Sequence, residues 1–101
     1  MRDPGEGVLN IEIKENVITL LGDVDMDTVD DVIGSLANLH GTVVLDVGGV
    51  TFLDSTGLQS LLRARDEVHG RGDELVLRRP SPAMSRVLDV TDMWETFVIE
   101  R

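Results

Sequence analysis

The order of periodic segments predicts an α/β domain, a small mixed and mostly parallel β-sheet flanked by helices in the order β-β-α-β-α-β-α-β. Three observations carry this. Two segments of strand character adjoin at the start, with Glu15-Asn16 between them, which reads as a hairpin. After them, short runs rich in Val, Leu and Ile alternate with stretches whose apolar residues recur every three or four positions, the pattern of parallel strands joined by right-handed helical crossovers. Asp, Ser, Pro and Gly stand where those helices should start or stop. The 101 residues fit one domain, assigned to 8–101, with 1–7 as a loose tail. No internal repeat, low-complexity stretch or linker is visible.

Each segment has its own warrant. Leu9, Ile11 and Ile13 alternate with Asn10, Glu12 and Lys14, as in a half-buried strand. Residues 17–21 make the second strand. Residues 22–27 read as an acidic loop, after which Asp27 or Thr28 N-caps a first helix with Asp30 and Asp31 in its first turn, near the positive end of the macrodipole. Val29, Val32, Ile33 and Leu36 form its stripe, and His40-Gly41 its stop. Residues 42–47 are the most apolar, β-branched run and predict a central strand buried on both faces. Gly48-Gly49 reads as a turn. A second helix follows Asp54-Ser55-Thr56-Gly57, striped by Leu58, Leu61, Leu62, Arg65 and Val68 and stopped at His69-Gly70. Residues 75–77 are a strand. Pro80-Ser81-Pro82 opens a third helix with Met84, Val87 and Leu88, its Pro in the tolerated first turn. Residues 96–99 form a short last strand.

Composition narrows the function classes. Aromatics make up 3% of the chain, so the core must be built from Val, Leu and Ile. The formal net charge of -10 repels nucleic-acid backbones and anionic lipid. It suits a partner with a basic face, or simply aids solubility. With no Cys, disulfides and thiolate metal sites are excluded and nothing points to an oxidising compartment. No apolar run approaches the roughly 18 residues of a membrane span, and residues 1–7 lack an apolar signal segment. The expectation is a cytoplasmic protein with no nucleic-acid or membrane partner.

Catalytic groups are few. His40 and His69 both fall at predicted helix ends, where a cation or donor meets the terminal carbonyls. Without a plausible His base, Ser55 is a poor hydrolase nucleophile, and its surroundings lack the Gly-x-Ser-x-Gly elbow. Asp23, Asp25 and Asp27 resemble the start of a calcium loop. The sixth and twelfth positions should then be Gly and Glu; they are Thr28 and Gly34, so a calcium loop is rejected. No Gly-x-x-x-x-Gly-Lys phosphate loop occurs. No metal or cofactor is expected. What remains is Asp54-Ser55-Thr56-Gly57-Leu58, placed between a buried strand and an amphipathic helix. Asp or Ser there can cap the helix, Gly57 lets another backbone approach closely, and a phosphate on Ser55 would meet free N–H groups at the positive helix end.

The context of that segment is more specific. Residues 43–62, Val-Val-Leu-Asp-Val-Gly-Gly-Val-Thr-Phe-Leu-Asp-Ser-Thr-Gly-Leu-Gln-Ser-Leu-Leu, resemble the signature of STAS domains of the anti-sigma-factor antagonist type. Residues 20–25 resemble the family's strand-end Gly-x-x-Asp segment, and 80–88 its Pro-containing helix start. Together the likeness runs from about residue 8 to 99. It implies a non-enzymatic protein that, unphosphorylated, binds an anti-sigma factor that is also an ATP-dependent serine kinase, and so frees a sigma factor. It also implies that Ser55 is the phosphoacceptor, that a serine phosphatase reverses the modification, and that Asp25, Asp54, Thr56 and Gly57 surround the partner-docking surface. The same family includes subunits of larger assemblies, lipid-transport complexes and stress-sensing scaffolds among them, in which Ser55 would be an interface residue. One departure stands out: the family's Thr-Gly-Leu-like stop after the third helix is here Thr91-Asp92-Met93-Trp94. Asp92 must then take a left-handed conformation less comfortable for it than for Gly. Trp94 would pack at that helix end, or serve as a contact anchor if exposed.

Overall fold

The structure, a computed structural model, describes residues 8–100; the tail assigned to 1–7 lies outside them. Among the described residues the order is β1 (Leu9–Lys14), β2 (Val17–Val24), α1 (Val29–Leu36), β3 (Val43–Leu53), α2 (Ser55–Gly70), β4 (Leu75–Arg78), α3 (Pro82–Thr91) and β5 (Val98–Glu100). The strands form one sheet in sequential order, β1 antiparallel to β2 and every later pair parallel. The mixed, mostly parallel α/β architecture is the one expected. Lys14 pairs with Val17, so Glu15-Asn16 is the two-residue turn, with Glu15 at a φ of 56°.

Strand alternation explains where the core lies. Ile18, Leu20 and Val24 of β2, Val43, Leu45 and Val47 of β3, and Leu75 and Leu77 of β4 point to one face. There they meet Val32 and Leu36 of α1, Leu58, Leu61, Ala64 and Val68 of α2, and Met84 and Leu88 of α3 in a single buried cluster. The opposite face carries Thr19, Val44 and Arg78, all half-buried. The central strand is therefore fully buried on one face and only partly on the other. Asp46 is the buried polar residue of that second face; it accepts from the Gly48 N–H at 3.1 Å and pairs with the Arg79 guanidinium.

Several boundaries differ from the expected ones. β2 runs to Val24 and β3 to Leu53, so the acidic loop starts later and Gly48-Gly49 is strand, not turn. A Cβ on Gly49 would lie 2.3 Å from Leu21 Cδ2; the glycine lets β3 pass the register shift between Thr19 and Leu21 of β2. Thr28 occupies the N-cap of α1, but its hydroxyl makes no capping bond; it donates to the Asp23 carbonyl at 2.9 Å and accepts from the Asp25 N–H at 3.0 Å. α1 ends at Leu36, well before His40-Gly41. Arg71 Nη1 donates to the Leu36 carbonyl at 3.2 Å and so satisfies the helix end from the neighbouring element. α2 does reach Gly70, yet the left-handed residue that turns the chain is Gly72, with φ 86° and its N–H on the His69 carbonyl at 2.9 Å.

α3 opens as the sequence implies. Ser81 is the N-cap and accepts from the Met84 N–H at 3.1 Å, with Pro82 the first helical residue. Asp92 takes the left-handed cap at φ 56° and ψ 43°, and the Met93 N–H then reaches the Leu88 carbonyl at 3.0 Å. Trp94 packs on the core and donates its indole N–H to the Asp89 carboxylate, the packing role of the two foreseen for it.

Leu61 is fully buried between α2 and the sheet. Leu61→Ala is expected to cost about 2–5 kcal/mol in urea unfolding, whereas Gln59→Ala, on the exposed side of the same helix, should stay within about 0.5 kcal/mol.

Candidate functional site

β2 and β3 are parallel and in register at their C-terminal ends, where Val24 pairs with Leu53. The chain leaves both strands at the same edge of the sheet, the usual location of sites in parallel sheets. From β2 it enters the Asp25–Thr28 turn. From β3 it enters α2 through Asp54.

Asp54 fixes the start of α2. Its backbone is extended, its Oδ1 accepts from the Gly57 N–H at 2.7 Å, and its carbonyl accepts from the Leu58 N–H at 2.9 Å. Its own N–H reaches the Val24 carbonyl at 3.4 Å. Gly57 completes the seat. A Cβ there would lie 2.2 Å from the Val24 oxygen and 2.7 Å from Leu53 Cδ1. The close approach expected of Gly57 is thus an approach to β2, and Gly57 itself is buried. Ser60 Oγ closes the turn by donating to the Gly57 carbonyl at 2.6 Å.

With both flanks held, Ser55 is the first residue of α2 and is exposed, and Thr56 is half-buried. Asp25 is at the same edge but fully buried; its Oδ1 accepts from the Asp27 N–H at 2.9 Å, closing the neighbouring turn. Asp23 Oδ1 accepts from Thr51 Oγ1 at 3.1 Å and links the ends of the two strands. Of the residues singled out in the sequence, Asp54, Ser55 and Thr56 reach the surface, while Asp25 and Gly57 act on its shape from inside.

Neither histidine can serve Ser55 as a base. His69 is in the last turn of α2, about 21 Å along the helix from Ser55. His40 precedes β3, at the far end of an eleven-residue strand. Among the described residues no group of three or more His, Asp or Glu is placed to hold a metal ion, and no helix is long and apolar enough to cross a membrane.

Sequence reasoning missed the cleft beside Ser55. It has a volume of about 280 Å³ and lies between the start of α2 and one side of α3, walled by Leu53, Leu58, Val87 and Val90. Val90 is 78% exposed and Met26, in the acidic turn, 70%. The available signal was Val90 itself, which falls off the stripe set by Met84, Val87 and Leu88.

A mixed sheet with an exposed serine at its strand ends, on a helix capped by Asp54, defines a small α/β domain. The chain belongs to the STAS domain family: the family model described as "Mlab, STAS domain" matches residues 9–99. Solved structures agree. An anti-sigma factor antagonist from Mycobacterium paratuberculosis is 27% identical and superimposes with a TM-score of 0.68 over 92% of this chain and 84% of that one. The anti-sigma factor antagonist SpoIIAA in its unphosphorylated form has 16% identity and a TM-score of 0.66, over 93% and 88% of the two chains. A candidate anti-sigma factor antagonist from Thermotoga maritima has 16% identity and a TM-score of 0.73, over 92% and 86%. Fold and family match anti-sigma factor antagonists.

Gly57→Ala must push the Val24 backbone away and is expected to destabilise by about 1–3 kcal/mol. Asp54→Ala should cost about 1 kcal/mol through the lost cap, and Asp54→Asn much less. Urea unfolding of the three variants checks the set.

Proposed function

We propose that this chain is an anti-sigma-factor antagonist switched by phosphorylation at Ser55. Unphosphorylated, it binds an anti-sigma factor that is also a serine kinase, and a sigma factor is released. The kinase transfers the γ-phosphoryl group of ATP to Ser55 Oγ: the new O–P bond forms, ADP leaves, and the hydroxyl proton passes to a base of the kinase. A serine phosphatase restores the hydroxyl. The observation that carries this reading is the exposed Ser55 hydroxyl at the first position of α2, in a loop held by Asp54 and Gly57. Family membership and the likeness to the mycobacterial antagonist supply the class of partner.

The switch is electrostatic. Phosphorylation adds about -1.5 to -2 charge beside Asp54, on a chain already at -10. A partner surface that fits the neutral serine would have to desolvate a dianion without a cation to match it. In this reading Asp54, Ser55 and Thr56 make the contact, and Asp25 and Gly57 hold its shape.

A second reading, a STAS subunit or scaffold of a larger assembly without a switch, is favoured by the name Mlab in the matching family description. Exposed Met26, Phe52 and Val90 would then be covered by neighbouring subunits.

Incubation with candidate anti-sigma kinases and ATP, followed by mass-spectrometric mapping, separates the two. The expected result is phosphate on Ser55 and loss of kinase binding afterwards. Ser55→Ala should still bind and take up no phosphate, and Ser55→Asp should weaken binding only in part. Phosphate on Ser55→Ala would overturn the site assignment. Stable assembly with other subunits and no transfer would establish the scaffold reading.

A further inference from the structure

Arg63, Arg65, Arg71, Arg78 and Arg79 each pair with a carboxylate. Among the described residues Arg86 pairs with none, in a chain that carries 19 acidic residues. Arg86 lies on the exposed side of α3 and lines the same cleft as Ser55. The unmodified Ser55 hydroxyl makes no hydrogen bond among the described residues, so one rim of the cleft offers an unengaged hydroxyl and another an unengaged guanidinium.

We propose that Arg86 is the internal ligand of a phosphate on Ser55, holding it across the α2–α3 cleft; this rests on Ser55 being the modified residue. The cleft of about 280 Å³ has room for roughly nine waters at liquid density, enough for a phosphate with part of its hydration shell. Two charged groups face that volume. Asp54, whose carboxylate is fixed on the Gly57 N–H, repels the phosphate from the strand side. Arg86 attracts it from the α3 side, with a planar fork that matches two phosphate oxygens. The apolar walls of Leu53, Leu58, Val87 and Val90 keep part of the surrounding water away and strengthen both effects. The modified serine therefore turns from Asp54 towards α3 and closes the mouth of an apolar cleft that the unmodified protein leaves open.

The test installs phosphoserine at position 55 during synthesis, with no kinase involved, and follows the phosphate by phosphorus NMR through a pH titration. With Arg86 present the second ionisation should fall below its ordinary value of about 6, because the cation favours the dianion. Arg86→Gln should raise the midpoint by about half a unit or more, and Arg86→Lys should restore part of the difference. Arg86 is exposed, so Arg86→Gln should leave the melting temperature of the unmodified protein unchanged. Equal midpoints in the Arg86 and Arg86→Gln proteins would overturn the proposal. Its failure is separable from failure of the switch: a kinase that labels Ser55 together with equal midpoints removes only the clamp. Unequal midpoints in a protein that no kinase labels at Ser55 support the clamp chemistry and remove the switch.

Discussion

The geometry of the functional end depends on how closely the first turn of α2 rests on the last residue of β2. Gly57 is seated where any Cβ would come within 2.2 Å of the Val24 carbonyl oxygen, and that same carbonyl receives the Asp54 N–H. The contact joins two neighbouring parallel strands and the helix that follows one of them. It fixes where the helix begins, and so it fixes Ser55 two residues upstream. A serine on a longer or looser connection would sample many positions. Here Asp54 and Gly57 hold the backbone on both sides of Ser55, and Ser55 is exposed.

Acidic residues contribute to this order in a repeated way. Asp25, Asp46 and Asp54 each accept a backbone N–H two or three residues further along, from Asp27, Gly48 and Gly57. Each therefore closes a local turn, two of them at the strand ends beside Ser55 and one within β3. Asp25 and Asp46 are buried, where an unsatisfied carboxylate would be costly. Part of the strong negative charge is thus structural, a role distinct from solubility and from attraction to a basic partner. Arg79 neutralises Asp46, while Arg86 is left facing the Ser55 cleft.

The sequence carried the architecture because strand and helix periods differ sharply in this chain. Leu9 to Lys14 alternates, Leu58 to Val68 repeats with a helical period, and Pro82 after Ser81 marks a helix start by the same chemistry the structure uses. The Asp54–Gly57 loop was legible for the same reason: capping and close approach follow from residue type. Boundaries set by distant partners were not legible. α1 stops at Leu36, whose carbonyl accepts from Arg71, thirty-five positions away. Gly48-Gly49 looked like a turn because nothing local reveals that Leu21 lies across from Gly49. The burial of Asp25 and the α2–α3 cleft likewise arise only when separate elements pack, and no single segment encodes them.

On this reading Ser55 sits on a platform rigid enough for a phosphate to change charge without changing the fold. Amide proton–nitrogen NMR spectra of the unmodified and phosphoserine-55 proteins test it directly. Shifts are expected only in residues around 53–58 and on the side of α3 that lines the cleft, with the sheet and α1 unmoved. Shifts spread through β1, β4 or β5 would mean that the modification remodels the domain, and would contradict it.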